Sequence, residues 1–150
     1  MSTRVVIERR IAAAPEFVWD FVCKPDRWLE WQGVEADIDP RPGGVHRVNI
    51  RGDAFAGGEV IEVVPNRRIS FTWGFEIPEH PLPRGSTLVV IDLIPDGDGT
   101  LLRLTQERVP DGFEAVRHGW EHYLDRLVIV AEGGALGPDP NVGKPSTGPA

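Results

Sequence analysis

The constraint that most narrows the fold is an imbalance between strands and helices. From Val34 to Val109 the chain reads as strands and turns, and only one long helical pattern follows them, Phe113 to Glu132. In that segment Phe113, Val116, Trp120, Leu124, Leu127 and Ala131 recur at spacings of three and four, so one stripe of the helix is apolar. A sheet with one apolar face needs a cover, and this helix is the only element long enough to supply it. Gly133 and Gly134 stop the helix. The expected class is α+β, with a curved antiparallel β-sheet of about six to seven strands wrapped around a long C-terminal helix.

The strands are read from alternation and from turn residues. Arg4–Ala12 alternates loosely, with Val5 and Ile7 on one face. Val34–Asp39, Val45–Arg51, Glu59–Val64 and Arg67–Phe75 follow. In the last of these, Ile69, Phe71, Trp73 and Phe75 share one face, as expected for a half-buried strand. Thr87–Ile94 and Thr100–Val109 flank Asp96-Gly97-Asp98-Gly99, a hairpin signal. Two short helices are expected after the first strand. One begins at Pro15 with an apolar face of Phe17, Val18, Phe21 and Val22, and Pro25 ends it. A second helical turn holds Trp28, Leu29 and Trp31.

The chain has 150 residues, a length that favours one domain, expected over residues 1–133. Residues 134–150 carry Pro138, Pro140, Pro145 and Pro149 with almost nothing to bury, the composition of a disordered tail. The net charge is −7 and the isoelectric point about 5.1, which argues against nucleic acid or an anionic membrane as partner. No apolar run approaches the ~18 residues of a spanning helix. The single cysteine, Cys23, rules out an internal disulfide framework and a cysteine-rich zinc site. These features point to a soluble protein of the reducing cytoplasm.

Chemistry-bearing motifs are few. His118-Gly-Trp-Glu121-His122 matches an inverted zinc-protease pattern. The histidine pair points away from the Trp120–Leu124–Leu127 stripe, however, and no later element offers a third ligand. It reads as exposed helix surface, and neither a metal nor a cofactor is expected. Cys23 reads as a packing thiol and Asp96–Gly99 as a hairpin rather than a calcium loop. Gly43-Gly44 and Gly57-Gly58 read as turns or bulges. No carboxylate pair, nucleophile elbow or phosphate loop occurs, so no catalytic residue can be nominated. The aromatic residues say more. Trp28, Trp31, Trp73, Phe75 and Trp120, with Leu124, belong to elements that should border a cleft between sheet and helix. Gln106 shares a face with Leu102 and Leu104 and could add a polar contact, with His46 or Asn49 as further polar groups. Taken by itself, His46 reads as a surface histidine.

These pieces, in order, resemble a known family. Arg10-Ile11, Ala13-Ala14-Pro15-Glu16 and Val18-Trp19 open the match, followed by Pro25, Trp28, Trp31 and Pro42-Gly43-Gly44. Gly58-Glu59-Val60, Glu62, Pro65, Arg68-Ile69 and Phe71-Thr72-Trp73 continue it. Gly99-Thr100, Leu102, Leu104-Thr105, Gly119-Trp120, Leu124 and Leu127 close it. The chain resembles the SRPBCC (START-like, birch-pollen-allergen-like) superfamily from about Arg4 to Glu132. Within it, the chain is most similar to the group of the heat-shock ATPase activator C-terminal domain homologues. The resemblance implies a helix-grip fold with an apolar cavity between sheet and helix. It implies binding of a hydrophobic small molecule, lipid-, polyketide- or aromatic-like. Cyclase- or hydrolase-like chemistry in the same cavity is an alternative, and so is a co-chaperone that stimulates a heat-shock ATPase. Gln106 stands where relatives often carry histidine after the L-x-L-T pattern, which removes a candidate acid–base group. A homodimer through the sheet or the helix is compatible with the sequence.

Overall fold

A computed structural model describes residues 2–113 and 115–145. Seven strands form one antiparallel sheet in the order β1-β7-β6-β5-β4-β3-β2. The strands are β1 (Ser2–Ile11), β2 (Glu35–Ile38), β3 (Val45–Asn49), β4 (Phe55–Val64), β5 (Arg68–Trp73), β6 (Thr87–Asp96) and β7 (Gly99–Pro110). Helices α1 (Pro15–Cys23) and α2 (Pro25–Trp28) follow β1, and α3 (Val116–Ala131) follows β7. This is the α+β helix-grip arrangement, with the sheet curved around the terminal helix.

Local chemistry explains most boundaries. Pro15 and Pro25 each open a helix, where the missing amide costs nothing. The β6–β7 hairpin closes at the Asp96↔Gly99 pair, with Gly97 at φ +61°. The stripe of α3 buries Val116, Trp120, Tyr123, Leu124, Leu127 and Ala131 in the same core cluster as Ile7, Leu102 and Leu104 of the sheet. The expected start of this helix at Phe113 includes Glu114, which lies outside the described residues. Opposite the core, the sheet carries cross-strand ion pairs such as Arg103–Glu8 at 2.7 Å and Arg68–Asp92 at 2.6 Å. The free edge of β1 is blunted by α3, whose Arg117 Nη1 donates to the Val6 carbonyl at 3.0 Å.

Three expectations fail. Gly57 and Gly58 lie inside β4, which begins at Phe55 and not at Glu59. A Cβ on Gly57 would collide with the His46 carbonyl, so glycine serves close strand approach there and makes no turn. Phe17 leaves the apolar face of α1 and is half exposed, near the Arg27 guanidinium, 6.0 Å from the ring centre. His46 is not a surface histidine at all, for it is fully buried.

Residues 134–145 follow α3 as irregular chain that turns back onto the domain. The Arg126 guanidinium donates to the Gly137 carbonyl at 3.3 Å, and the Gly143 amide donates to the Arg51 carbonyl at 2.7 Å. Asp139 Oδ1 lies 3.0 Å from the His122 ring nitrogen. Residues 146–150 of the expected tail lie outside the described residues.

Candidate functional site

The strands bring one aromatic side chain after another to the inner face. On β5, the period of two places Ile69, Phe71 and Trp73 toward α3, and all three are buried. Beyond Trp73, Phe75 continues the same face, held by its amide to the Leu82 carbonyl at 2.7 Å and by the His80 ring 4.6 Å away. From the helix side, α3 presents Val116, Gly119, Trp120 and Tyr123. Between these walls lies a recess completed by Gln106 of β7, Gln32 after α2 and Ile50 after β3.

The recess measures about 30 Å³, room for a water molecule or two. A pocket for a drug-sized ligand runs to ~300–1,000 Å³, so this cleft is filled by its own side chains. Trp73 and Trp120 face each other across it with ring centres 5.4 Å apart. Trp120 is tied in place: its indole N–H donates to Gln106 Oε1 at 2.9 Å. The Gln106 amide donates in turn to the Thr87 hydroxyl at 3.0 Å, and that hydroxyl donates to the Trp73 carbonyl at 2.7 Å. Gln106 is therefore committed within the wall before any ligand arrives.

The expected site residues divide into two sets. Trp73, Phe75, Gln106 and Trp120 line the recess. Trp28, Trp31 and Leu124 do not; they pack in the core beside it, each almost wholly buried. Trp28 donates to Gln32 Oε1 at 2.9 Å, and Trp31 donates to the Phe21 carbonyl at 2.9 Å. Asn49 accepts the Gly52 amide at 2.8 Å and does not reach the recess. Gln32, Ile50, Val116, Gly119 and Tyr123 were missed by sequence reasoning. Val116 and Tyr123 could have been found from the stripe of α3, because both stand within a turn of Trp120 on its face.

His46 sits behind Trp73 in an aromatic box. Its ring stacks on Phe71 with centres 3.7 Å apart and an interplanar angle of 5°. Trp28 lies edge-on at 4.9 Å and Trp73 at 5.8 Å. Among the described residues neither ring nitrogen has a hydrogen-bond partner. Burial pushes the imidazole down to about 3, against a smaller upward pull from its own backbone. It is neutral at physiological pH.

Two other buried groups are held in their neutral forms. Burial raises the Tyr123 hydroxyl, which stays protonated. Burial likewise pushes the Cys23 thiol up to about 11, with the Asp20 carboxylate adding to it, so the thiol is inert. His118 is exposed and 3.3 Å from Glu121, while His122 turns to Asp139. Among the described residues no group of three or more His, Cys, Asp or Glu could hold a metal ion. No helix among them is long and apolar enough to cross a membrane.

Comparison with known proteins places this geometry. The family profile described as "Activator of Hsp90 ATPase homolog 1-like protein" matches residues 12–132. The search of curated proteins gives no match. Among solved structures, the AHSA1-like protein of Rhizobium etli is 42% identical, with a TM-score of 0.72 over 97% of this chain and 91% of that one. A protein of Mesorhizobium loti is 25% identical, with a TM-score of 0.78 over 89% of this chain and 100% of that one. DynU16, from the dynemicin biosynthetic locus, is 26% identical with a TM-score of 0.74; the match covers 88% of this chain and 48% of DynU16. The matched segment contains α1, α2, α3, six whole strands and every residue of the recess, and on that ground the chain belongs to the Activator of Hsp90 ATPase homolog 1-like family.

Proposed function

We propose that the protein binds an apolar small molecule between the sheet and α3, at the recess walled by Trp73, Phe75, Gln106 and Trp120. The observation that carries this reading is the composition of the wall. It is aromatic and aliphatic with two amides, and its single titratable group, Tyr123, stays protonated. Such a surface holds an apolar molecule well and has no base to turn it over. DynU16, which shares the fold, stands in a biosynthetic locus, and this agrees with a small-molecule role. The unpaired Cys23 fits a cytoplasmic setting.

Native mass spectrometry of gently purified protein, with denaturing release of anything bound, tests the reading. A reproducible apolar adduct is expected. Val116→Trp, which puts a large ring into a space of about 30 Å³, should weaken that adduct at least tenfold while the fold persists. An empty protein that shows no thermal shift across an apolar library overturns the proposal. Capture of a heat-shock ATPase by such a protein would support the co-chaperone reading instead, and turnover of a bound molecule would support the enzymatic one.

A further inference from the structure

The recess is too small for any aromatic molecule, so an occupant must displace part of its wall, and the hydrogen bonds show which part can move. Trp28, Trp31 and Trp120 each have the indole N–H anchored, to Gln32, to the Phe21 carbonyl and to Gln106. The Trp73 indole makes no hydrogen bond among the described residues. It is held by packing without a hydrogen bond: its ring lies 5.4 Å from Trp120 on the recess side and 5.8 Å from both Phe71 and His46 on the other. Trp73 is thus the unlatched partition between the recess and the aromatic box.

What lies behind the partition is a polar group with nothing to bind. The His46 ring is fully buried, and both of its nitrogens lack partners among the described residues. A neutral imidazole carries one N–H and one lone-pair nitrogen. An N–H can point at an aromatic face, but a lone pair among rings finds no donor. Buried polar atoms are nearly always satisfied, and a native exception asks for an explanation. The described residues offer no donor, and the ring that stands between His46 and the recess is the unlatched one.

We propose that the recess and the His46 box are the outer and inner halves of one ligand site, joined when Trp73 swings aside, and that His46 selects a flat, neutral molecule bearing a hydroxyl group. The reading rests on the small-molecule function proposed above and adds the polar group that the ligand must carry. A hydroxyl suits either imidazole tautomer, since it donates to the lone pair or accepts from the N–H. The place that a displaced Trp73 ring would vacate lies between the Trp120 ring and the rings of Phe71 and His46, and it favours a planar ring system. An anion is disfavoured, because a neutral imidazole in an apolar box gives it no counter-charge.

The test is calorimetric titration of 2-naphthol and of naphthalene, which differ by one hydroxyl, into wild-type protein and into Trp73→Ala. Both proteins are expected to bind 2-naphthol at least tenfold more tightly than naphthalene. In the Trp73→Ala background, His46→Phe should bring the ratio of the two affinities to about one. Trp73→Leu carries the same comparison if the alanine variant does not fold. On saturation of the wild type with 2-naphthol, the ring nitrogen signals of His46 in a ¹⁵N spectrum should shift. Equal affinity for the two probes, or a preference that survives His46→Phe, overturns the role of His46 and leaves the small-molecule reading standing. Binding confined to the Trp73→Ala protein overturns the movable partition. Failure of both probes on every protein overturns this proposal, while an apolar adduct from native mass spectrometry would still uphold the broader one.

Discussion

Two pairs of tryptophans sit within one core and differ in what holds them. Trp28 and Trp31, from the segment after α1, have ring centres 4.4 Å apart and are wholly buried. Trp73 and Trp120 come from opposite layers, sheet and helix, and meet across a gap. The first pair is sealed because its two indole donors are satisfied within the same short stretch of chain, by Phe21 and Gln32. The second pair joins distant parts of the sequence, and only one member is tied. Where local structure closes an aromatic cluster it becomes core; where two layers must meet, space is left between them.

The strongest way to break the comparison is Trp31→Ala. It removes a fully buried ring and leaves the Phe21 carbonyl without its donor. A loss of about 3–5 kcal/mol is expected, as for other buried aromatic truncations. Urea unfolding checks it, and a loss below about 1 kcal/mol would show that this pair is no more fixed than the recess wall.

His46 supplies the next effect. Its folded value of about 3 lies below the ordinary 6.5, so between those values the unfolded chain binds a proton that the folded protein refuses. The associated stability is complete above pH 6.5 and is lost as pH falls through that window. Between pH 7.5 and pH 5 the cost is about 2 kcal/mol. His46→Phe should remove that share of the pH dependence, read as the change in urea midpoint between the two conditions. An unchanged dependence would mean that the imidazole titrates normally.

Trp120→Phe sharpens the contrast within the recess. It keeps an aromatic body but removes the donor to Gln106 Oε1, leaving a buried acceptor unpaired at a cost of about 1–3 kcal/mol. No comparable donor is lost in Trp73→Phe, so its cost should be the smaller of the two. Thermal unfolding of the two variants side by side decides whether the indole bond or ring packing fixes the wall.

How much of this was legible in the sequence follows from the range of the interactions. The stripe of α3 and the alternation Ile69-Phe71-Trp73 could be read directly, because period and face are local properties. His46 could have been read too. It stands at even spacing with Val48 and Ile50, both buried, and that register outweighs its residue type. Gly57 and Gly58 hid the start of β4, since glycine signals a turn unless one knows that the His46 carbonyl crosses there. Trp28, Trp31 and Leu124 of the nominated wall fell in the core, and the two tryptophans look identical to Trp73 until their indole partners are known. The volume of the recess was beyond reading. It is a small difference between the spacing of two layers and the side chains that fill it.

The smallest effect concerns the segment that follows α3. Residues 134–145 lie across α3 and meet Arg51, the neighbour of the recess residue Ile50. Asp139 anchors the crossing: one carboxylate oxygen accepts the Asn141 amide at 3.0 Å and lies 3.0 Å from His122. Burial alone would raise this carboxyl, but the Asn141 amide, His122 and Tyr123 together hold it below the usual range. Stability from Asp139 is therefore present above the ordinary carboxylate value and is lost as pH falls through the lowered one. Because the segment adds few apolar contacts, Asp139→Ala should cost only about 1 kcal/mol globally. Its local effect should be larger. The Gly143 amide, which donates to the Arg51 carbonyl, should exchange at least tenfold faster, while the amides of β6 and β7 keep their protection. Faster exchange in β6 as well would tie this segment to the core and erase the distinction between a sealed interior and a bordered recess.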